Sequence, residues 1–169
     1  VGEGFDYINN VADPDVLTCS KPAGASAVTT DDYGHGSHVA GLLGAGLNNG
    51  AGVASLGGNI VWIEPLKVLN SAGNGSVRDV SAAIRYATQC LNANIINMSI
   101  EVEASVINNS ADLNRTFQTA VQFADQRNVL QIAAAGNVSN AAKSPYPAAY
   151  AEVMGVAALT YTNEKAGYS

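Results

Sequence analysis

Charge is scarce in this chain. Of 169 residues only 13% are Asp, Glu, Lys or Arg, and Lys and Arg together number 8 against 14 Asp and Glu. The resulting net charge of −6 opposes a phosphate backbone and an anionic bilayer surface, so neither nucleic acid nor a membrane is expected as a partner. No apolar run approaches the roughly 18 residues a membrane-spanning helix needs. The opening residues show no charged-then-apolar leader pattern, so no targeting signal is read from them. Cysteine is nearly absent: Cys19 and Cys90 are too few for a disulfide framework and lack the C-x-x-C spacing of a metal or redox site. Cys90 closes an amphipathic helical pattern and reads as a small buried apolar residue rather than a bridge partner. What is plentiful is apolar and small, with 47% hydrophobic residues and 17 glycines. A chain of this length buries about 70% of its unfolded surface, enough for one core and one domain over residues 1–169.

From Gly34 onward, short apolar runs alternate with helical periods, which predicts β-α-β units around a parallel sheet. Val39 to Ala45 reads as a helix. Asn59 to Leu69 reads as a strand interrupted by Pro65, which must sit where no ladder donor is needed. Ser76 and Asp79 form a capping box ahead of a helix whose Val77, Val80, Ile84, Ala87 and Leu91 share one face. Ala93 to Ile100 is almost continuously apolar, as a strand buried on both faces would be. A further helix is predicted over about Asp112 to Arg127, with Leu113, Phe117, Ala120, Val121 and Ala124 inward. Val129 to Ala135 and Val153 to Leu159 complete the strands. Before Gly34 only Val1 to Ile8 has strand character; the rest is turn and loop material.

The residues that can carry chemistry centre on Gly34-His35-Gly36-Ser37-His38-Val39-Ala40-Gly41. Small residues around His35 let an imidazole face a cleft while backbone packs closely beside it. A hydroxyl becomes a nucleophile only when a neutral imidazole takes its proton, which makes His35 a candidate base. His38 lies three residues on, giving an H-x-x-H pair, but no third metal ligand is evident. Asp31 and Asp32 precede the histidine and read as a solvated loop with helix N-terminal charge rather than as orienting carboxylates.

The octapeptide resembles the histidine signature of subtilisin-like serine proteases, differing in having Ser37 where the family has Thr. Ala133-Ala134-Ala135-Gly136-Asn137 is similar to the family's "A-A-G-N" segment, Asn97-Met98-Ser99 and Tyr146-Pro147-Ala148-Ala149-Tyr150 match in the right order, and the resemblance spans nearly the whole chain. It implies a three-layer, doubly wound α/β fold with a mostly parallel sheet, present here in part. It also implies a secreted endopeptidase acting through Asp, His and Ser on protein or peptide substrates, with His35 as base and Asn137 as oxyanion donor. Peptide strands would lie against Gly73, Asn74 and Gly75 on one side and Ser99, Ile100 and Glu101 on the other, with Ala135 and Gly136 beside the reacting carbonyl. A cis peptide is expected at Tyr146-Pro147.

Where the family usually reads Ser-Leu-Gly-Gly, this chain has Ser99-Ile100-Glu101-Val102. That glutamate can favour a basic substrate residue or point into water, and the sequence leaves both open. Leu47 to Val53 resembles the family's calcium loop, which implies ligation by the carbonyls of Leu47, Ala51 and Val53 and by the side chain of Asn49; a glycine- and asparagine-rich helix end reads the same residues without metal.

No aspartate here has the family's strand-end setting, and no serine lies in a Gly-Thr-Ser-Met-Ala segment. Ser169 ends Ala166-Gly167-Tyr168-Ser169, similar to a family run that precedes the nucleophile. These residues are therefore expected to be an internal fragment lacking the N- and C-terminal segments of its own domain, inactive and poorly stable by itself. Two other classes remain open. One is an inactive subtilisin-like peptide-binding or scaffold module. The other, an α/β nucleotide binder, lacks both G-x-G-x-x-G and G-x-x-x-x-G-K-[ST].

Overall fold

A computed structural model describes residues 2, 4–9, 16–21, 30–137 and 145–169. The chain divides into two compact units, Val1–Asp15 with Ser20–Asp79 and Val16–Cys19 with Val80–Ser169. Each holds its own parallel sheet.

In the first unit β1 (Phe5–Asp6) pairs in parallel with β2 (Leu66–Lys67), Phe5 opposite Leu66 and Asp6 opposite Lys67. The long strand expected over Asn59 to Leu69 is thus reduced to two residues. Proline explains part of this. Pro65 has no N–H to donate, but its carbonyl accepts the Phe5 N–H at 3.0 Å. Gly4, at φ 63, brings its backbone so near that a Cβ would lie 2.3 Å from that carbonyl oxygen. Only glycine tolerates both conditions. Phe5 is fully buried and meets the ring of Tyr7 edge-on at 4.8 Å. Helix α1 (His35–Gly44) follows and starts four residues earlier than expected. No residue of α1 is buried in this structure.

Helix α2 (Val77–Gln89) begins with the anticipated cap, the Asp79 N–H donating to Ser76 Oγ at 3.0 Å. Val77, Val80, Ile84 and Ala87 are buried as their spacing predicts.

The second unit is built on β3 (Ile95–Met98), β4 (Leu130–Ala134) and β5 (Val153–Val156), all parallel and adjacent in that order. Helix α4 (Ala111–Asp125) is capped by Ser110, whose side chain accepts the Leu113 N–H, and it buries Phe117, Ala120, Val121 and Ala124. Its contact with the sheet includes Gln131 Nε2 donating to the Val121 carbonyl at 2.9 Å. A short helix, α3 (Ala104–Asn108), was not foreseen; it contributes the fully buried Ile107. Five residues carry too little periodicity to be read from sequence.

Burial on both sheet faces is not what the structure has. The register places Ile95, Leu130, Met154 and Val156 on one face, where they are 58%, 43%, 54% and 51% exposed. Met98, Ala133 and Val153, on the face that receives α4, are buried. The reading of Cys90 as a buried thiol is also corrected. Cys19 and Cys90 are joined in a disulfide with Cα atoms 5.3 Å apart, inside the range such a bond needs. A turn over residues 16–19 brings Cys19 to the end of α2, a contact between residues 71 apart that local pattern cannot reveal.

Candidate active site

His35 is the first residue of α1 and is exposed. Its position is set from Asp31, whose Oδ1 accepts the N–H groups of Gly34 at 2.7 Å and Tyr33 at 3.2 Å, while Oδ2 accepts the Ser37 N–H at 2.7 Å. One carboxylate thereby serves donors that the helix start leaves unpaired, and Gly34, at φ 93, makes the turn into the helix. This explains why α1 begins at His35 rather than Val39. The Gly34 N–H, and then Ser37, hold the Asp31 carboxyl well below the usual carboxylate range. A lowered folded value means that the contribution is complete above the unfolded pKa, about 3.9, and is lost as pH falls below it toward the folded value. Asp31→Ala is expected to cost about 1 kcal/mol and to speed amide exchange at Gly34 and Ser37. Unchanged exchange there contradicts this account.

Lys67, on β2, braces the same loop. Its ammonium lies 2.8 Å from Asp32 Oδ1 and 3.9 Å from Asp6 Oδ2, and donates to the Thr30 carbonyl at 2.8 Å. The Asp32 carboxylate raises the lysine pKa, and Lys67 lowers that of Asp32. Nothing in the sequence marked Lys67. Its partners come from two separate segments, Asp6 on β1 and the stretch from Thr30 to Asp32.

The predicted substrate-contact residues Gly73, Asn74 and Gly75 lie in a turn organised by Asn70, whose Oδ1 accepts the N–H groups of Ala72 and Asn74 at 3.0 and 3.1 Å. Gly73, at φ 76, packs against the Tyr33 ring, and a Cβ on Gly75 would lie 2.0 Å from the Val68 carbonyl oxygen. The asparagine at the head of this turn was a readable signal.

In the second unit the loops leaving β3 and β4 are neighbours because the strands are parallel and adjacent. Ligand crevices of such sheets form outside the carboxyl ends of the strands. Ser99, Ile100 and Glu101 follow β3; Ala135, Gly136 and Asn137 follow β4. Glu101 Oε2 accepts the Asn137 N–H at 3.2 Å. The third segment is Pro145–Pro147: Val102 and Tyr146 exchange backbone hydrogen bonds at 2.7 and 3.0 Å, and Tyr146-Pro147 is cis as expected. Gly136 has φ 113, and a Cβ on it would lie 2.9 Å from Pro145 Cδ. Gly136→Ala is therefore expected to destabilise by about 1–3 kcal/mol, read as a lowered melting temperature. A neutral result overturns the constraint. His35 belongs to the first unit and Asn137 to the second.

Asn49, Ala51 and Val53 line a cavity of about 220 Å³, and Leu47 is not among its lining residues. Asn49 Oδ1 accepts the Ala51 N–H at 3.0 Å. The donors are neutral oxygens, the right type for calcium but short of the six to eight it takes. Among the described residues no group of three or more His, Cys, Asp or Glu could hold a metal, and no helix is long and apolar enough to cross a membrane.

Subtilisin Savinase of Lederbergia lenta is 36% identical over 141 residues, 83% of this chain and 48% of that protein. The alkaline protease of Alkalihalobacillus alcalophilus is 36% identical over the same share of this chain and 34% of its own. Among solved structures, Sphericase aligns with a TM-score of 0.72 at 29% identity over 98% of this chain and 56% of that one. The psychrophilic subtilisin-like protease Apa1 of Pseudoalteromonas sp. AS-11 aligns with a TM-score of 0.61 at 32% identity over 78% and 28%. The α/β fold is thus subtilisin-like, and the chain spans about a third to a half of the curated relatives named here. The model of the subtilase family, peptidase S8, matches residues 7–169, and the chain belongs to that family.

Proposed function

We propose that this chain is part of a serine endopeptidase that hydrolyses peptide bonds, His35 acting as base and then acid and Asn137 donating its side-chain amide to the oxyanion. The observation that carries the reading is the loop pair at the carboxyl ends of β3 and β4. There Asn137 is held beside Glu101 on a backbone that Gly136 and Pro145 constrain. In this reading the nucleophilic hydroxyl and the orienting carboxylate come from parts of the domain outside these residues. The hydroxyl attacks the scissile carbonyl as His35 takes its proton. The negative charge that develops on the carbonyl oxygen is met by Asn137, and the imidazolium returns the proton to the leaving amine. Protein or peptide chains are the substrates, lying as added strands against residues 73–75 and 99–101. An extracellular site of action agrees with the Cys19–Cys90 disulfide, which persists in oxidising surroundings.

The test is labelling of the full-length protein by a serine-directed fluorophosphonate, together with cleavage of peptide anilides. Labelling with turnover is expected; an unlabelled protein that binds peptides without cleaving them is instead a binding module.

Calcium is proposed at Leu47, Ala51 and Val53 through their carbonyls and at Asn49 through its side chain, where it would stiffen the loop that follows α1. Calcium at 100 times its dissociation constant would stabilise by about 2.7 kcal/mol. The melting temperature is expected to rise on adding calcium and to fall again with chelator. A melting temperature that ignores both removes calcium from this loop.

A further inference from the structure

Glu101 stands in the second unit where three segments meet. Its Oε2 accepts the Asn137 N–H at 3.2 Å and lies 3.6 Å from where a Cβ of Gly136 would be. The next residue, Val102, is tied to Tyr146 by a pair of backbone hydrogen bonds. The side chain is thus anchored at both its root and its tip, yet Glu101 remains exposed. A carboxylate only accepts hydrogen bonds and has room for about four donors. Among the described residues Asn137 alone supplies one, and no lysine or arginine pairs with it.

We propose that Glu101 is a specificity-determining residue, its carboxylate receiving the lysine or arginine side chain of the substrate residue whose carbonyl is attacked. This rests on the reading of Asn137 as oxyanion donor. A fixed negative charge hydrogen-bonded to the backbone of the oxyanion donor opposes the charge that develops on the reacting oxygen. A substrate cation paired with Glu101 removes that opposition and adds a charge-assisted hydrogen bond. A leucine leaves the carboxylate uncompensated, and a glutamate adds a second like charge. The selection acts as charge develops, so it appears in kcat/KM rather than in ground-state binding alone.

The experiment uses the full-length protein and peptide substrates identical except for Arg, Lys, Leu or Glu at the residue before the scissile bond, comparing wild type with Glu101→Gln. Glutamine keeps an acceptor for the Asn137 N–H and removes the charge. In the wild type, kcat/KM is expected to favour Arg and Lys over Leu by about 10–100-fold, the worth of one hydrogen bond to a charged group. In the variant that ratio should fall to near 1. A wild-type preference for Leu, or a variant that slows all four substrates by one common factor, overturns the assignment and leaves Glu101 as a positioning residue for Asn137. If the wild type cleaves none of the four and takes no fluorophosphonate label, the protease reading fails first and the specificity falls with it. Labelling with turnover but no preference for cations sinks the role of Glu101 alone.

Discussion

His35→Ala in the full-length protein is expected to lower kcat by about 10⁴-fold, with KM and melting temperature close to those of the wild type. The first half follows from chemistry: without a positioned imidazole the hydroxyl must lose its proton to water and the leaving amine must depart unprotonated, and general acid–base assistance contributes up to about that factor. The second half follows from structure. His35 is exposed at the start of α1, where alanine is a better helix former. The Asp31 carboxylate that organises this helix start accepts the backbone N–H groups of Tyr33, Gly34 and Ser37, which the substitution leaves in place. Steady-state kinetics with a peptide anilide and a thermal melt of the same preparation separate the two. A variant that retains a tenth of the wild-type kcat removes His35 from the proton transfer.

The double substitution Cys19→Ser with Cys90→Ser is expected to destabilise the protein by about 4 kcal/mol, because the bond closes a loop between residues 71 apart and restrains the unfolded chain accordingly. That is a large share of the 5–15 kcal/mol that holds a typical domain folded. Loss of the bond also frees the turn over residues 16–19, which the disulfide fastens to the end of α2. Chemical denaturation under non-reducing conditions measures the effect. Equal midpoints for wild type and the double variant would show that other contacts hold this turn.

Periodicity made the long helices legible, since α2 and α4 each bury one face against the core and their apolar residues recur every three or four positions. Short strands were harder. Asn59 to Leu69 has strand composition throughout, yet hydrogen bonding survives around Pro65 in only part of it, because each strand residue needs a partner that composition does not reveal. The openness of one face of the β3-β4-β5 sheet was equally hidden. Ile95 and Leu130 have the residue type of a two-sided core whatever covers them.

The Tyr146-Pro147 cis bond was legible in advance, because the segment Tyr146 to Tyr150 resembles a family motif that carries that backbone requirement. What arose only in three dimensions joins residues far apart: Asp6 and Asp32 on Lys67, Cys19 on Cys90, Glu101 on Asn137. Each of these depends on which strands and loops become neighbours. That choice follows from the summed burial of the whole chain, which no stretch of ten residues contains.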